Sequence, residues 1–143
     1  LKIFFGGTFS GNSLSMFIGN EFLSFFIKNK KKIIDDLNYK TQYFVDNMND
    51  YFYKNDLDIK VYHFQSVARI VFSRKNIRDR VQRDFLEKKK SKKILILIND
   101  LKKFGIKYPS NGILFFNHSM KIKEIDHFIL SLKKSINRIF IKN

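Results

Sequence analysis

The stretch "IKVYHFQSVARIVF", residues 59–72, decides the fold class. Two strand-like runs, Ile59 to Phe64 and Val67 to Phe72, are separated only by Gln65 and Ser66. That spacing predicts an antiparallel hairpin. Arg69 interrupts the apolar run Val67-Ala68-Ile70-Val71, so it reads as a side chain on the solvent face of a strand, or as a fork that meets a carboxylate or phosphate.

Working outward, the flanks read mostly as helix. Leu14, Phe17, Ile18, Phe22 and Phe25/Phe26 recur at three- and four-residue steps, which predicts a helix over Ser13–Ile27. Gly19 inside it suggests close packing. The lysines at 28, 30, 31 and 32 read as a solvated joint. A second helix carries Ile33/Ile34, Leu37, Phe44/Val45, Met48 and Phe52 and ends at Asn55-Asp56. Beyond the hairpin, residues 73–93 are the most charged segment, a surface insertion or an exposed helix. Ile94, Leu97, Ile98, Leu101 and Phe104 form a third helical face, with Gly105 where a capping glycine belongs. Ile113–Phe116 predicts a short buried strand, and Ile122 to Phe140 a closing helix. The expected class is α+β, a small antiparallel sheet with helices covering one side.

The chain has 143 residues, one domain's worth or a piece of a larger one. With 44% hydrophobic residues it can bury a core. No apolar run reaches the roughly 18 residues of a membrane span, and no secretory signal is visible at the N-terminus. The absence of cysteine excludes disulfides, cysteine-ligated zinc and thiol catalysis, and is compatible with a cytoplasmic location. Leu1 in place of Met suggests a fragment or a processed product. The net charge of +15 has two readings. One is a basic module for nucleic acid or acidic partners. The other is a lysine-heavy surface from a compositional bias that also enriches Asn, Ile and Phe. The basic residues are spread along the whole chain, which favours the second, so neither nucleic acid nor membrane is the expected partner.

One other stretch stands out, "FFGGTFSGNSLSM", residues 4–16. Gly6 and Gly7 permit unusual backbone geometry, and Ser10 or Asn12 can cap the helix that follows. Gly7, Thr8 and Ser10 could ring an anion with N–H and hydroxyl groups, or form a plain structural turn. Neither GxxxxGK[ST] nor GxGxxG is present. His63, His118 and His127 lack metal-ligand spacing and read as surface or partly buried residues. Asp35-Asp36 reads as helix-surface charge. Tyr39, Tyr43, Tyr51 and Tyr53 read as packing residues on or just after a helix. No Ser/His/Asp triad can be argued from spacing.

Gly6 to Asn12 match in order the segment GGTFSGNPLAMAAG of class-III pyridoxal-phosphate aminotransferases, and Leu14 and Met16 match again. Ser13 stands where that family usually has Pro. The chain thus resembles the C-terminal portion of this family, in particular the glutamate-1-semialdehyde 2,1-aminomutase branch. "FQSVARIVFS", "LKKFGIKYPSNGILFF" and the Glu124–Asp126 run are similar in order to later family elements. The family's small-His-Thr step matches His118 only with a two-residue insertion, and residues 73–93 have no counterpart.

The resemblance implies the C-terminal part of a fold-type-I transferase: a long inter-domain helix, then a small antiparallel sheet covered by helices. Residues 1–30 would close the large cofactor-binding domain and supply the connecting helix. Residues 31–143 would form the small domain, with 73–93 as a charged insertion. The implied cofactor is pyridoxal 5'-phosphate in an intact homodimer, and the implied substrates are a small-molecule amino donor and a carbonyl acceptor. Gly7 and Thr8 are the implied cofactor-binding residues, meeting the phosphate held by the neighbouring protomer. The resemblance places the Schiff-base lysine and the aspartate on the pyridine nitrogen upstream of Gly6. No lysine of this chain takes that role, no residue here is expected to be catalytic, and the chain alone is expected to be inactive.

Overall fold

The computed structural model describes residues 11–141. The elements are α1 (Ser13–Lys54), β1 (Lys60–Phe64), β2 (Val67–Val71), α2 (Arg80–Lys88), α3 (Ser91–Lys102), β3 (Ile113–Phe115) and α4 (Ile122–Ile136), which runs into a π-helical turn at Asn137–Ile141. The chain divides between Asp35 and Asp36 into two compact units.

The hairpin forms as its sequence predicts. Lys60 pairs with Val71 and Phe64 with Val67, and Gln65 takes a positive φ of 49° at the turn. β3 adds antiparallel to the other side of β2, giving the order β1-β2-β3. Alternation sends Val61, Ala68 and Ile70 into the core. There they meet Phe44, Val45, Met48 and Phe52 of α1, Leu97 and Leu101 of α3, and Ile125, Ile129, Leu132 and Ile136 of α4. Phe44 is fully buried, its ring stacked on Phe128 at 5.2 Å and tilted against Phe116 at 5.4 Å.

The outer edge of β1 is closed by a side chain. The Asn49 amide donates to the Val61 carbonyl at 3.0 Å and accepts the Val61 N–H at 2.8 Å. Gly105 ends α3 with φ 73°, its N–H bonded to the Lys102 carbonyl. Gly112 turns the chain into β3 with φ 72°, where a Cβ would sit 3.1 Å from the Ile70 carbonyl oxygen. α4 starts with the Glu124 carboxylate accepting the Lys121 N–H at 2.7 Å.

Several expectations change. Residues 28–32 are no joint: α1 is a single helix of 42 residues through the lysine run. Nothing lies within 4 Å of a Cβ placed at Gly19, so no close packing occurs there among the described residues. β3 is half-buried rather than buried, with Phe115 exposed and Phe116 turned inward. α2 is an exposed helix with no buried residue, capped by Asp79, which accepts the Gln82 N–H. Yet the charged segment is anchored. Lys90 Nζ donates to the Asp58 carboxylate at 2.6 Å and to the Phe72 carbonyl at 2.8 Å. Among the described residues no helix is long and apolar enough to cross a membrane.

Candidate functional site

Gly7 and Thr8 lie outside the described residues, as does Ser10. The described residues begin just after them, at Gly11. Gly11 has φ 77°, and the Asn12 side chain accepts the Ser15 N–H at 3.1 Å, so Asn12 caps α1. The first turn of α1 carries no acidic residue. Its free N–H groups therefore form a positive helix end with no acidic side chain in the first turn to offset it.

Arg69 emerges on the sheet face opposite the core, because its neighbours Ala68 and Ile70 point inward. It is mostly buried and meets a carboxylate of its own chain, Glu87 of α2, at 3.5 Å. The other Glu87 oxygen accepts the Phe72 N–H at 3.0 Å. Arg83 lies 3.8 Å from the same carboxylate and pairs with Asp84 at 2.6 Å. Tyr108 borders this group from within the core. Burial pushes its phenol well up; Arg69 opposes that shift and Glu87 adds to it, so the hydroxyl stays protonated. The space among Arg69, Glu87, Tyr108 and Gly112 is about 50 Å³, water-sized rather than substrate-sized. Arg69 is thus already engaged, and a substrate carboxylate would have to compete with Glu87.

The second polar cluster joins residues that were read separately, Asp36 as helix-surface charge and His118 as a surface or partly buried residue. Lys40 has only 7% of its side chain exposed, and its Nζ donates to Asp36 Oδ2 at 2.6 Å and to the His118 carbonyl at 2.8 Å. His118 Nδ1 lies 2.7 Å from the same Asp36 oxygen. Burial raises the Asp36 carboxyl, but the bonds from Lys40 and His118 outweigh it and hold the carboxyl below its ordinary range. Among the described residues nothing bonds to His118 Nε2, and no nucleophile joins the pair. The cluster ties residues 36–40 of α1 to the loop before α4. The i,i+4 spacing of Asp36 and Lys40 was the one readable hint.

The remaining candidates are structural. His63 is exposed on β1, and His127 Nε2 lies 2.9 Å from the Phe104 carbonyl. Tyr43 donates to Asp126 at 2.6 Å and Tyr51 to the Lys133 carbonyl at 3.2 Å, while Tyr39 and Tyr53 are exposed. No metal-binding cluster exists among the described residues. One hollow among the described residues, about 480 Å³, is apolar and lies between residues 106–109, β3 and the start of α4. Ile106, Pro109, Ile113, Phe115, Met120 and Phe128 line it.

The clusters at Asp36 and Asp58 set an acid limit. Burial raises the Asp58 carboxyl, and Lys90 and the Arg74 N–H lower it by more. Both carboxyls therefore sit below their unfolded values. Their stabilisation is complete above about pH 4 and is lost as pH falls through the folded-state values. The urea midpoint should be flat from pH 7 to 5 and drop steeply below about pH 4. The drop should be shallower in Asp58→Asn. An unchanged acid limb in that variant would refute the assignment.

No protein-family profile and no curated protein matches the sequence. Solved structures do match in fold. The chain is similar to an omega-transaminase from Sphaerobacter thermophilus, with TM-score 0.76 and 16% identity over 94% of this chain and 30% of that one. It is also similar to a beta-phenylalanine aminotransferase from Variovorax paradoxus, with TM-score 0.64 and 12% identity over 71% of this chain and 23% of that one. The chain thus spans less than a third of the length of either protein. Its architecture, helices around a small three-stranded antiparallel sheet, is that of the C-terminal part of fold-type-I transaminases.

Proposed function

We propose that this chain is the C-terminal part of a pyridoxal-phosphate-dependent class-III aminotransferase or aminomutase that works as a homodimer. What carries the reading is the fold correspondence with a transaminase along nearly the whole chain, joined to the ordered Gly6–Asn12 match. In this reading residues 1–30 close the large domain and lead into the connecting helix. Residues 31–143 form the small domain, with 73–93 as its charged insertion. Bound to such an enzyme, pyridoxal phosphate supplies the electron sink for moving an amino group between an amino compound and a carbonyl.

The described residues suit a phosphate at the opening turn. α1 begins directly after it, is capped by Asn12, and has no carboxylate in its first turn to repel an anion. Gly7 would offer its backbone N–H and Thr8 its hydroxyl to the phosphate held by the neighbouring protomer. Each is one hydrogen bond to a charged acceptor, about 1.5–3 kcal/mol. Thr8→Ala in the assembled dimer should therefore raise the cofactor Kd by about ten-fold or more, while Thr8→Ser keeps most of the affinity. Equal affinities for all three proteins would remove Thr8 from the site.

The test of the reading itself is the coding sequence upstream of Leu1. A Schiff-base lysine roughly 30 residues before Gly6 is expected. Its absence from the full gene would end the enzyme claim.

A further inference from the structure

α2 is inverted for a surface helix. Its apolar residues Val81 and Phe85 are 79% and 70% exposed, while the Arg83 and Glu87 side chains are largely buried. A surface helix ordinarily sends its apolar stripe inward. Here the charged side is held in, because Glu87 meets Arg69 of β2 and accepts the Phe72 N–H. The joint between α2 and the sheet is therefore built of charge, and it does not close completely. A hollow of about 200 Å³ remains where the residues around the start of α2 cross the outer face of the β1–β2 hairpin. Its walls all come from residues 62–83, so it is complete within this chain.

Three guanidiniums line the hollow, those of Arg69, Arg78 and Arg83, with one carboxylate, Asp79. Asp79 is turned towards α2, where it accepts the Gln82 N–H at 2.8 Å. Tyr62, the cross-strand partner of Arg69, and Ile77 supply an apolar wall. Lys60 Nζ stands 4.9 Å over the Tyr62 ring and adds a further positive charge. Glu87 and Asp84 are shared among Arg69, Arg80 and Arg83, and Arg78 has no ion-pair partner among the described residues. Lys60, Arg69, Arg78, Arg80 and Arg83 thus face only Asp79, Asp84 and Glu87. Like charges held this close repel, and an anion in the hollow removes that cost.

We propose that this hollow binds a phosphate group, with Arg78 and Arg83 as its anchors. Arginine's fork meets carboxylate and phosphate alike, but phosphate carries more charge and enough oxygens to engage two forks at once. The donors are at hand. A guanidinium has five N–H groups, and Arg83 uses only Nε and Nη2 on Asp84, which leaves Nη1. Size narrows the ligand further. The hollow equals about six or seven waters at roughly 30 Å³ each. That admits a phosphate and a short organic body against Tyr62, and it is below the roughly 300 Å³ at which drug-sized pockets begin.

This inference rests on the residues around α2 and not on the aminotransferase reading, so either can fail alone. Inorganic phosphate titrated into the purified chain at constant ionic strength should shift the Arg78 and Arg83 side-chain N–H signals in NMR spectra. The shifts should saturate with a Kd below about 1 mM. Acetate should bind about ten-fold more weakly or worse. Arg78→Gln should weaken phosphate binding by about ten-fold or more. Arg80→Gln removes the same charge two residues away, outside the hollow, and should leave binding unchanged. Arg78 is exposed and unpaired among the described residues, so helicity by circular dichroism should not move in Arg78→Gln. Phosphate should raise the thermal midpoint of the native chain and not that of Arg78→Gln. Phenyl phosphate separates the sources. Tighter binding than inorganic phosphate supports a phosphomonoester with its body on Tyr62, and weaker binding supports the free ion. Shifts that never saturate, acetate binding as tightly as phosphate, or equal losses in Arg78→Gln and Arg80→Gln would each overturn the proposal.

Discussion

Replacing Phe44 with alanine should lower stability by about 3–5 kcal/mol and the thermal midpoint by about 10–20 °C. The ring is fully buried and touches two other aromatics, Phe128 of α4 and Phe116 just beyond β3. Removing it takes away transfer free energy and leaves a cavity walled by rigid rings that cannot collapse into it. It also removes aromatic pair geometry worth about 0.5–1.5 kcal/mol per contact. Phe44→Leu should cost less than half as much. Urea denaturation reads both, and a loss below about 1.5 kcal/mol for the alanine variant would show that this junction repacks.

Asp36→Ala should cost about 2–4 kcal/mol, more than a partly exposed aspartate on a helix normally carries. The cost lies in what remains. Lys40, almost wholly buried, would be left with only the His118 carbonyl as partner. An uncompensated buried charge is far more costly than a missing ion pair. Lys40→Met introduced into Asp36→Ala should therefore recover at least half of the loss, because no charge is left stranded. A double-mutant cycle measures this directly. If Asp36→Ala costs as much in the Lys40→Met background as in the native chain, the cluster is not holding the buried lysine.

The fold was largely legible. The hairpin announced itself because two apolar runs flank a two-residue turn, and α3 ended where Gly105 supplied a positive φ. The lysine run at 28–32 misled for a physical reason. It is polar on every face, so the apolar rhythm breaks there. Lysine is nevertheless a good helix former, and no Gly or Pro interrupts α1 between Lys28 and Lys54. Polar pairs across long sequence distances were not legible. Asp36 with His118, Arg69 with Glu87, and Lys90 with Asp58 join residues 18 to 82 positions apart. No local pattern records such partners. Arg69 was read as facing solvent or as meeting a carboxylate or phosphate, and its partner is the carboxylate of Glu87 in its own chain. Of the two capping candidates, Asn12 caps α1, and Ser10 lies outside the described residues.

The Asn49 clasp on Val61 has a consequence for how the protein behaves among its own copies. The outer edge of β1 would otherwise offer its backbone as a template for a further strand. Asn49, fixed on α1, supplies one carbonyl and one N–H in the pattern a strand would use, and then the pattern stops. The sheet is thereby limited to three strands on that side, which guards a lysine- and phenylalanine-rich chain against growing into fibres.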